Sequence, residues 1–136
     1  MIIDQAKMDE MTKVTGGYGP LEGAIGVLPL VEDKTSDAQN FVTRFQKAYP
    51  GRVPSSEVSL NYTAVWLLAG AMKASGSVTD ATAIRASLDK AAKELSPAHN
   101  PNTLDGVDDK GGTLADTRVA IVENGKVKEI KLSSLK

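Results

Sequence analysis

The chain has 136 residues, of which 41% are hydrophobic and 24% are charged, as expected for one modest globular domain. Sixteen basic residues against seventeen acidic ones leave a formal net charge of −1, which offers no electrostatic footprint for nucleic acid or an anionic membrane. Aromatic residues make up only 4%, which disfavours base-stacking platforms, and the lack of cysteine excludes disulfides and thiolate chemistry.

The N-terminal part predicts one short helix and one strand. Asp4 is a candidate cap for a helix over residues 5–14, which a Gly-Gly pair ends. The apolar residues 24–28 precede Pro29, which cannot donate a hydrogen bond to a sheet. These residues therefore predict a buried strand.

Three longer helices follow. Residues 36–49 form a clear amphipathic pattern in which Ser36 is a candidate N-cap. A second helix begins after Ser55 or Ser56, and a third begins at Thr79 or Asp80 and stops before Pro97. The helical spacing predicts that the third helix faces inward with five residues: Ala81, Ile84, Leu88, Ala91 and Leu95.

The second of these helices, over residues 57–77, is apolar nearly all round, since only Glu57 and Lys73 are charged. A surface helix normally has one apolar stripe and one polar face. A membrane span is excluded, because it needs roughly 18 or more apolar residues in a row. The pattern therefore predicts a helix that is covered on two sides.

The C-terminal part contains a strong hairpin signal. Asn124-Gly125 can supply both positive φ values of a type I′ turn, so residues 119–123 should pair with residues 126–130. The preceding residues 96–112 are rich in Pro, Gly, Asn and Asp and predict a loop. One strand and one hairpin make too small a sheet to cover three helices.

No motif in the chain indicates chemistry or a cofactor. The glycines of residues 16–23 follow a helix and open a strand, which is the reverse of a dinucleotide fingerprint. An EF-hand loop starting at Asp105 fails at its third position, Val107, and His99 is the only histidine. We expect no metal and no cofactor.

Acid–base catalysis is the remaining enzymatic possibility. Glu22, Glu57 and Asp116 are candidate carboxylates near small or apolar neighbours, but their spacing singles out no pair. Without a second histidine or a cysteine, no nucleophile triad can be assembled. We therefore expect no catalytic residues and a protein that is not an enzyme.

The ordered blocks of residues 41–88 resemble the C-terminal portion of type I periplasmic solute-binding proteins, the receptors of ABC importers in the leucine/isoleucine/valine-binding family. The family's tyrosine-containing helix block is matched by residues 61–65, with Thr63 where the family often has Asp. Residues 16–31 are similar to the family's preceding strand segment, and residues 104–130 to its closing segment.

The resemblance implies an α/β fold: a partial periplasmic-binding-protein-like fold with three main helices, a short N-terminal helix, one buried strand and a C-terminal β-hairpin. Family members are two-lobed and more than twice as long, so the chain would be a C-terminal fragment lacking most of the binding cleft. Residues 1–29 and 117–136 would belong to the second lobe and residues 30–116 mostly to the first. Pro29 and the loop before Thr117 would then lie near the hinge crossings.

The resemblance also implies a function. The intact protein would bind an amino acid, such as a branched-chain one, or a related small organic acid. It would present this solute to the membrane permease of an ABC importer, as a periplasmic or lipid-anchored extracellular receptor with no nucleic-acid partner. Glu57, Ser59 and Asn61, at the start of the long helix, are the candidate ligand-binding residues. The fragment itself would bind weakly and could self-associate.

Two alternatives remain. A ligand-sensing domain of the same fold in a signalling protein would also close its two lobes on a ligand, but the closure would signal instead of serving transport. A small hydrolase or transferase would belong to a different class, and the missing His/Cys constellation argues against it.

Overall fold

The computed structural model describes residues 2–28, 30–115 and 117–135, with the backbone alone for residues 2–9. Pro29 and Asp116 therefore lie outside the described residues. The helices are α1 (Gln5–Thr15), α2 (Ser36–Ala48), α3 (Ser56–Ser75), α4 (Ala81–Ala86) and α5 (Leu88–Lys93). The strands are β1 (Ile2–Asp4), β2 (Ile25–Val27), β3 (Leu104–Val107), β4 (Thr113–Ala115), β5 (Arg118–Glu123) and β6 (Lys126–Lys131).

The four-stranded sheet has the order β1-β2-β5-β6. β1 runs parallel to β2, whereas β2, β5 and β6 pair antiparallel. The predicted hairpin is confirmed. The predicted strand is present as β2, but it is not buried throughout, because Val27 is half-exposed. Val119 pairs with Ile130 and Glu123 with Lys126, and the turn residues Asn124 and Gly125 have φ values of 54° and 68°. These are the two left-handed conformations that a type I′ turn requires.

One face of this sheet covers a small apolar cluster. Its buried members are Leu21, Ala24, Leu28, Ala120 and Val122. Met11 of α1 and Tyr18 pack against them and close the cluster at one end. The Glu22 carboxylate, in the segment between α1 and β2, binds the tip of the β5–β6 hairpin. It accepts from the backbone amides of Asn124 at 2.9 Å and Gly125 at 3.0 Å.

α2 is amphipathic as predicted, but its N-cap is Thr35, and Ser36 is the first helical residue. The Thr35 side chain makes no capping hydrogen bond; instead its backbone amide donates to Asp33 Oδ1 at 2.8 Å. The buried face of α2 presents Ala38, Phe41 and Val42 to Leu30, which forms a second apolar cluster.

The predicted third helix is interrupted at Ser87, which separates α4 from α5. Asp80, one of the two residues predicted to begin the helix, caps α4 by accepting from the amides of Thr82 and Ala83. The Ser87 hydroxyl donates to the Ala83 carbonyl at 3.0 Å, a bond back along the helix that often bends it.

Four of the five residues predicted to face inward do so. Ile84 and Ala91 are buried, and Leu88 and Leu95 pack against the same cluster, whereas Ala81, at the first position of α4, is exposed. α5 packs on α3 so closely that a Cβ at Gly70 would lie 3.4 Å from the Ala91 Cβ.

The predicted loop of residues 96–112 contains a strand. β3 pairs antiparallel with β4 to form a two-stranded sheet. Side chains take the place of missing backbone partners: Asp89 Oδ1 accepts from the Val107 amide at 3.0 Å. The Asn100 side chain exchanges two hydrogen bonds with the Leu104 backbone. Such partners are invisible in a composition-based prediction, which therefore missed the strand.

The long helix α3 is covered on one side only. Ser55 caps it, as predicted, by accepting from the Val58 amide, and its buried stripe consists of Ser59, Thr63, Leu67 and Ala71. Its open face, defined here as Val58, Val65 and Leu68, is exposed in the described residues. Within the described residues, no helix is both long enough and apolar enough to span a membrane.

Candidate functional site

A groove of about 330 Å³ lies between the four-stranded sheet and the N-terminal half of α3. We call it the junction groove, because the chain passes between the sheet and the helices on both sides of it. Its apolar lining includes Val27, Leu28, Leu30, Leu60, Ala64 and Leu67. Its polar lining includes Asp33, Ser56, Thr63, Asn102, Thr103 and Arg118.

Asn102 fixes one wall of the junction groove to α3. Its Oδ1 lies 2.9 Å from the Ser59 hydroxyl, and its Nδ2 donates to Thr63 Oγ1 at 3.1 Å. Ser59 is fully buried and Thr63 is 4% exposed, so both hydroxyls need protein partners. The Ser59 hydroxyl also lies 2.8 Å from the Ser56 carbonyl oxygen. The Asn102 side chain thus provides hydrogen-bond partners for the hydroxyls of Ser59 and Thr63, which lie on successive turns of α3.

Thr103, the next residue, lies in the left-handed region with φ 51°. This conformation is unfavourable for a β-branched residue and is found mostly where the surrounding structure enforces it. Here the neighbours enforce it, because Asn102 is bound to α3 and the Thr103 amide donates to the Asn100 carbonyl at 3.1 Å. Thr103 is thereby turned into the groove lining.

Arg118, the first residue of β5, contributes the positive charge of the groove. Its Nη1 lies 2.6 Å from Glu129 Oε1 on the neighbouring strand β6. Its Nε lies 3.9 Å from Asp33 Oδ1, which comes from the segment that leads from the sheet to α2. The ion pairs therefore join the sheet to the helical side of the groove.

The three candidate residues from the sequence lie on α3 but outside the groove lining. Glu57 and Asn61 are exposed, and Asn61 Nδ2 donates to the Glu57 carbonyl at 2.9 Å. A hydrogen bond from the Ser55 hydroxyl, with a second from its own backbone amide, lowers the pKa of the Glu57 carboxyl. Ser59 is buried under Asn102. Their neighbours Ser56, Leu60 and Thr63 line the groove instead.

Sequence reasoning missed Asn102, Thr103 and Arg118 as groove residues. Asn102 lies in a segment whose composition predicts only a loop, and its partners on α3 are about forty positions away. Arg118 is the first residue of a mostly apolar strand, and nothing local marks it as a groove residue. Among the described residues, no cluster of three or more His, Asp or Glu could hold a metal ion.

A comparison with protein-family models identifies the family. The family model described as periplasmic binding protein matches residues 3–126, so the chain belongs to the periplasmic binding protein family. Solute binding is the role of such proteins. The resemblance to type I periplasmic solute-binding proteins and the α/β fold class, both predicted from the sequence, are thus confirmed.

A solved structure supports the fold. The crystal structure of the leucine-binding protein LivK from Thermotoga maritima MSB8 matches with a TM-score of 0.55 and 24% sequence identity. The match covers 93% of this chain and 35% of that one, so the chain spans about a third of that protein's length. A search of the curated proteins finds no significant match.

Proposed function

We propose that the chain forms part of the solute-binding receptor of an ABC-type importer, for branched-chain amino acids or related small organic acids. The receptor would be periplasmic or lipid-anchored outside the cell, and its partner would be the importer's membrane permease. Family membership supports solute binding, and LivK, the similar solved structure, is a leucine-binding protein. The importer, the permease and the solute class are the proposed part.

The proposal includes the division into lobes, with residues 1–29 and 117–136 in one and residues 30–116 mostly in the other. It is supported by the strands of the four-stranded sheet, which come from residues 2–27 and 118–131 alone. The chain leaves this sheet after β2 and returns to it at β5. The junction groove lies at these two connections, where closure of two lobes would change its width.

Within this proposal the junction groove is part of the solute cleft. This position, at the connections and beside the N-terminus of α3, is the observation that carries the proposal. The apolar lining suits an aliphatic side chain, and the few polar groups can orient it. Glu57 and Asn61 would meet solute from the exposed first turns of α3. Ser59, which is buried, would act through Asn102.

The test is a ligand screen by NMR against leucine, isoleucine, valine and short aliphatic acids. We expect weak binding, in the millimolar range typical of partial sites (about −4 kcal/mol). Amide shifts should concentrate at Thr63, Ala64, Asn102 and Leu104. Shifts confined to other surfaces, or none with any compound up to solubility, would contradict the proposed role of the groove.

The proposal also gives the open face of α3 an occupant. Val58, Val65 and Leu68 are exposed, and no charged residue lies between Glu57 and Lys73. Contiguous apolar surface of this kind is normally covered in soluble proteins. In a two-lobed receptor other parts of the fold would cover it. For the chain alone, self-association would do the same.

A further inference from the structure

We propose that Asn124 is a site of spontaneous deamidation and that the Glu22 carboxylate protects it while the chain is folded. Asn124 precedes Gly125 at the tip of the β5–β6 hairpin and is exposed to water. The inference concerns a covalent modification of the hairpin. It is therefore independent of the junction groove and of the proposed solute.

The reaction is an attack by one backbone amide on the side chain that precedes it. The Gly125 nitrogen forms a bond to Asn124 Cγ and loses its proton, which passes through solvent to the leaving group. The Cγ–Nδ2 bond breaks and the side-chain nitrogen leaves as ammonia. Water then opens the resulting succinimide ring. Opening at Cγ gives aspartate, whereas opening at the backbone carbonyl gives isoaspartate, in which the main chain runs through Cγ.

Asn124 has the least hindered nucleophile of the asparagines in the chain. The other four, Asn40, Asn61, Asn100 and Asn102, are followed by Phe, Tyr, Pro and Thr respectively. A bulky side chain crowds the attacking nitrogen, and proline has no N–H to lose. Glycine has no side chain and lets the backbone bend freely toward the ring. The Asn124-Gly125 pair is therefore the expected site.

The surroundings of the carboxamides favour the same residue. Asn61, Asn100 and Asn102 donate through Nδ2 to an oxygen of the protein, at 2.9, 2.7 and 3.1 Å respectively. These bonds must break before the side chain can turn toward the following nitrogen. Asn124 lies exposed at the hairpin tip, where water can also open the succinimide.

Glu22 controls the availability of the attacking nitrogen. Its Oε2 accepts from the Gly125 N–H at 3.0 Å, and its Oε1 accepts from the Asn124 N–H at 2.9 Å. The Gly125 proton must be lost for the attack, but the carboxylate stabilises the N–H and its negative charge disfavours an amide anion. A carboxylate is also far too weak a base to remove an amide proton. Glu22 therefore slows the reaction.

The backbone of the turn restrains the same atoms. Asn124 and Gly125 have φ values of 54° and 68°, and the flanking pair Glu123 and Lys126 closes the strand ladder. Ring closure requires Asn124 Cγ and the Gly125 nitrogen to approach each other, so these restraints add to that of Glu22. The site should react slowly in the folded chain and faster in the unfolded chain.

The product would weaken the contact that protects the site. Aspartate and isoaspartate both place a carboxylate at position 124, beside the Glu22 carboxylate that binds the amide of the same residue. The two negative charges repel each other. Isoaspartate also lengthens the main chain by a methylene, which a two-residue type I′ turn cannot accommodate. Deamidation would thus release the hairpin tip from the segment between α1 and β2.

The test is incubation of the 136-residue chain in mildly alkaline buffer, with deamidation at each asparagine measured by peptide mapping and mass spectrometry. We expect modification at Asn124 and little at Asn40, an exposed asparagine on α2. In guanidinium chloride, which unfolds the chain, Asn124 should react about tenfold faster.

Glu22→Ala should accelerate deamidation at Asn124 about fivefold, because it removes the hydrogen bond to the Gly125 amide. Glu22→Gln keeps an acceptor oxygen without the charge and should give an intermediate rate. The matched control is His99→Ala, which removes a stacking contact with Trp66 and leaves Glu22 in place, so the rate should not change. If Glu22→Ala does not fold, Glu22→Gln and the comparison of folded with unfolded chain carry the test.

Three results would overturn the inference. They are deamidation of Asn40 as fast as that of Asn124, equal rates at Asn124 in the folded and unfolded chain, and a Glu22→Ala rate no higher than that of the unmodified chain. A His99→Ala rate raised as much as that of Glu22→Ala would also contradict it, because overall unfolding would then control the reaction.

Discussion

The indole of Trp66 lies flat against the imidazole of His99, with ring centroids 3.6 Å apart and planes 8° from parallel. The Ser96 hydroxyl holds the ring through Nδ1 at 3.1 Å. The contact joins α3 to the segment that follows α5. It also gives the His99 side chain a packing function.

The first prediction concerns this stack. Because the chain has one tryptophan, its fluorescence reports on the surroundings of Trp66, which include the His99 ring. His99→Ala should shift the Trp66 emission to longer wavelength and lower the free energy of unfolding by about 0.5–1.5 kcal/mol. His99→Phe, which retains a ring, is the control and should behave nearly like the unmodified chain. An unchanged emission in His99→Ala would contradict the stack.

The second prediction concerns the Glu22 carboxylate, which binds the amides of Asn124 and Gly125. Glu22→Ala should lower the free energy of unfolding by about 1 kcal/mol, below the usual range for hydrogen bonds to charged groups because the site is exposed. Amide exchange at Asn124 and Gly125 should accelerate. Glu10→Ala, an exposed glutamate on α1, is the control. Equal exchange rates in both variants would argue against the hydrogen bonds between Glu22 and the hairpin tip.

The third prediction is a pH dependence that arises at Asp89. Hydrogen bonds from Lys93 and then from the Val107 amide lower the pKa of this carboxyl below its ordinary value of 3.8. Because the folded pKa is the lower one, the stabilisation is present above the unfolded value and is lost as the pH falls through the folded value.

Asp89→Asn should therefore destabilise the chain more at pH 7 than at about pH 2.5, because the protonated acid resembles the amide. Urea unfolding at the two pH values measures this difference. The control is Asp105→Asn, an exposed aspartate on β3. An Asp89→Asn effect of equal size at both pH values would disprove the role of the charge.

The fourth prediction concerns Asn102. Asn102→Ala leaves the buried hydroxyls of Ser59 and Thr63 without this partner and should cost about 1–3 kcal/mol of unfolding free energy. It should also release Thr103 from its positive φ, which NMR couplings and chemical shifts would detect. Asn40→Ala on the exposed side of α2 is the control and should cost little. A cost below that of the control would show that Asn102 does not bind α3.

The fifth prediction concerns the open face of α3. If it mediates self-association, Leu68→Lys and Val65→Lys should each shift the chain toward monomer, because a charge would be buried without a partner. Sedimentation velocity over a concentration series measures this. Ala81→Lys on the exposed start of α4 is the control. If the unmodified chain is monomeric at every concentration, the open face does not mediate self-association.

The sequence predicted the elements whose signals are local. Asn124-Gly125, the Asp80 cap and the amphipathic pattern around Phe41 depend on residues a few positions apart, and all are present. What it missed depends on distant partners. β3 exists because Asp89 and β4 complete its hydrogen bonding, which no window over residues 96–112 contains.

The same reason limits the prediction of the site. The junction groove lies beside the start of α3, but its residues on other segments were not foreseen. Asn102 and Arg118 become neighbours of the groove only through the pairing of β2 with β5 and the bond from Asn102 to α3. The lobe assignment and the ligand contacts of Glu57, Ser59 and Asn61 stay predictions.

The pairing of β2 with β5 has a consequence for folding kinetics. Gly26 pairs with Ala120, so the whole helical segment is inserted between two adjacent strands. Closing a loop of that length costs roughly 4 kcal/mol of chain entropy, whereas the β5–β6 hairpin closes over two residues. The hairpin and the α3–α5 packing should therefore form early, and the central strand pair should form last. Stopped-flow refolding should detect the Trp66 stack before protection of the β2 amides.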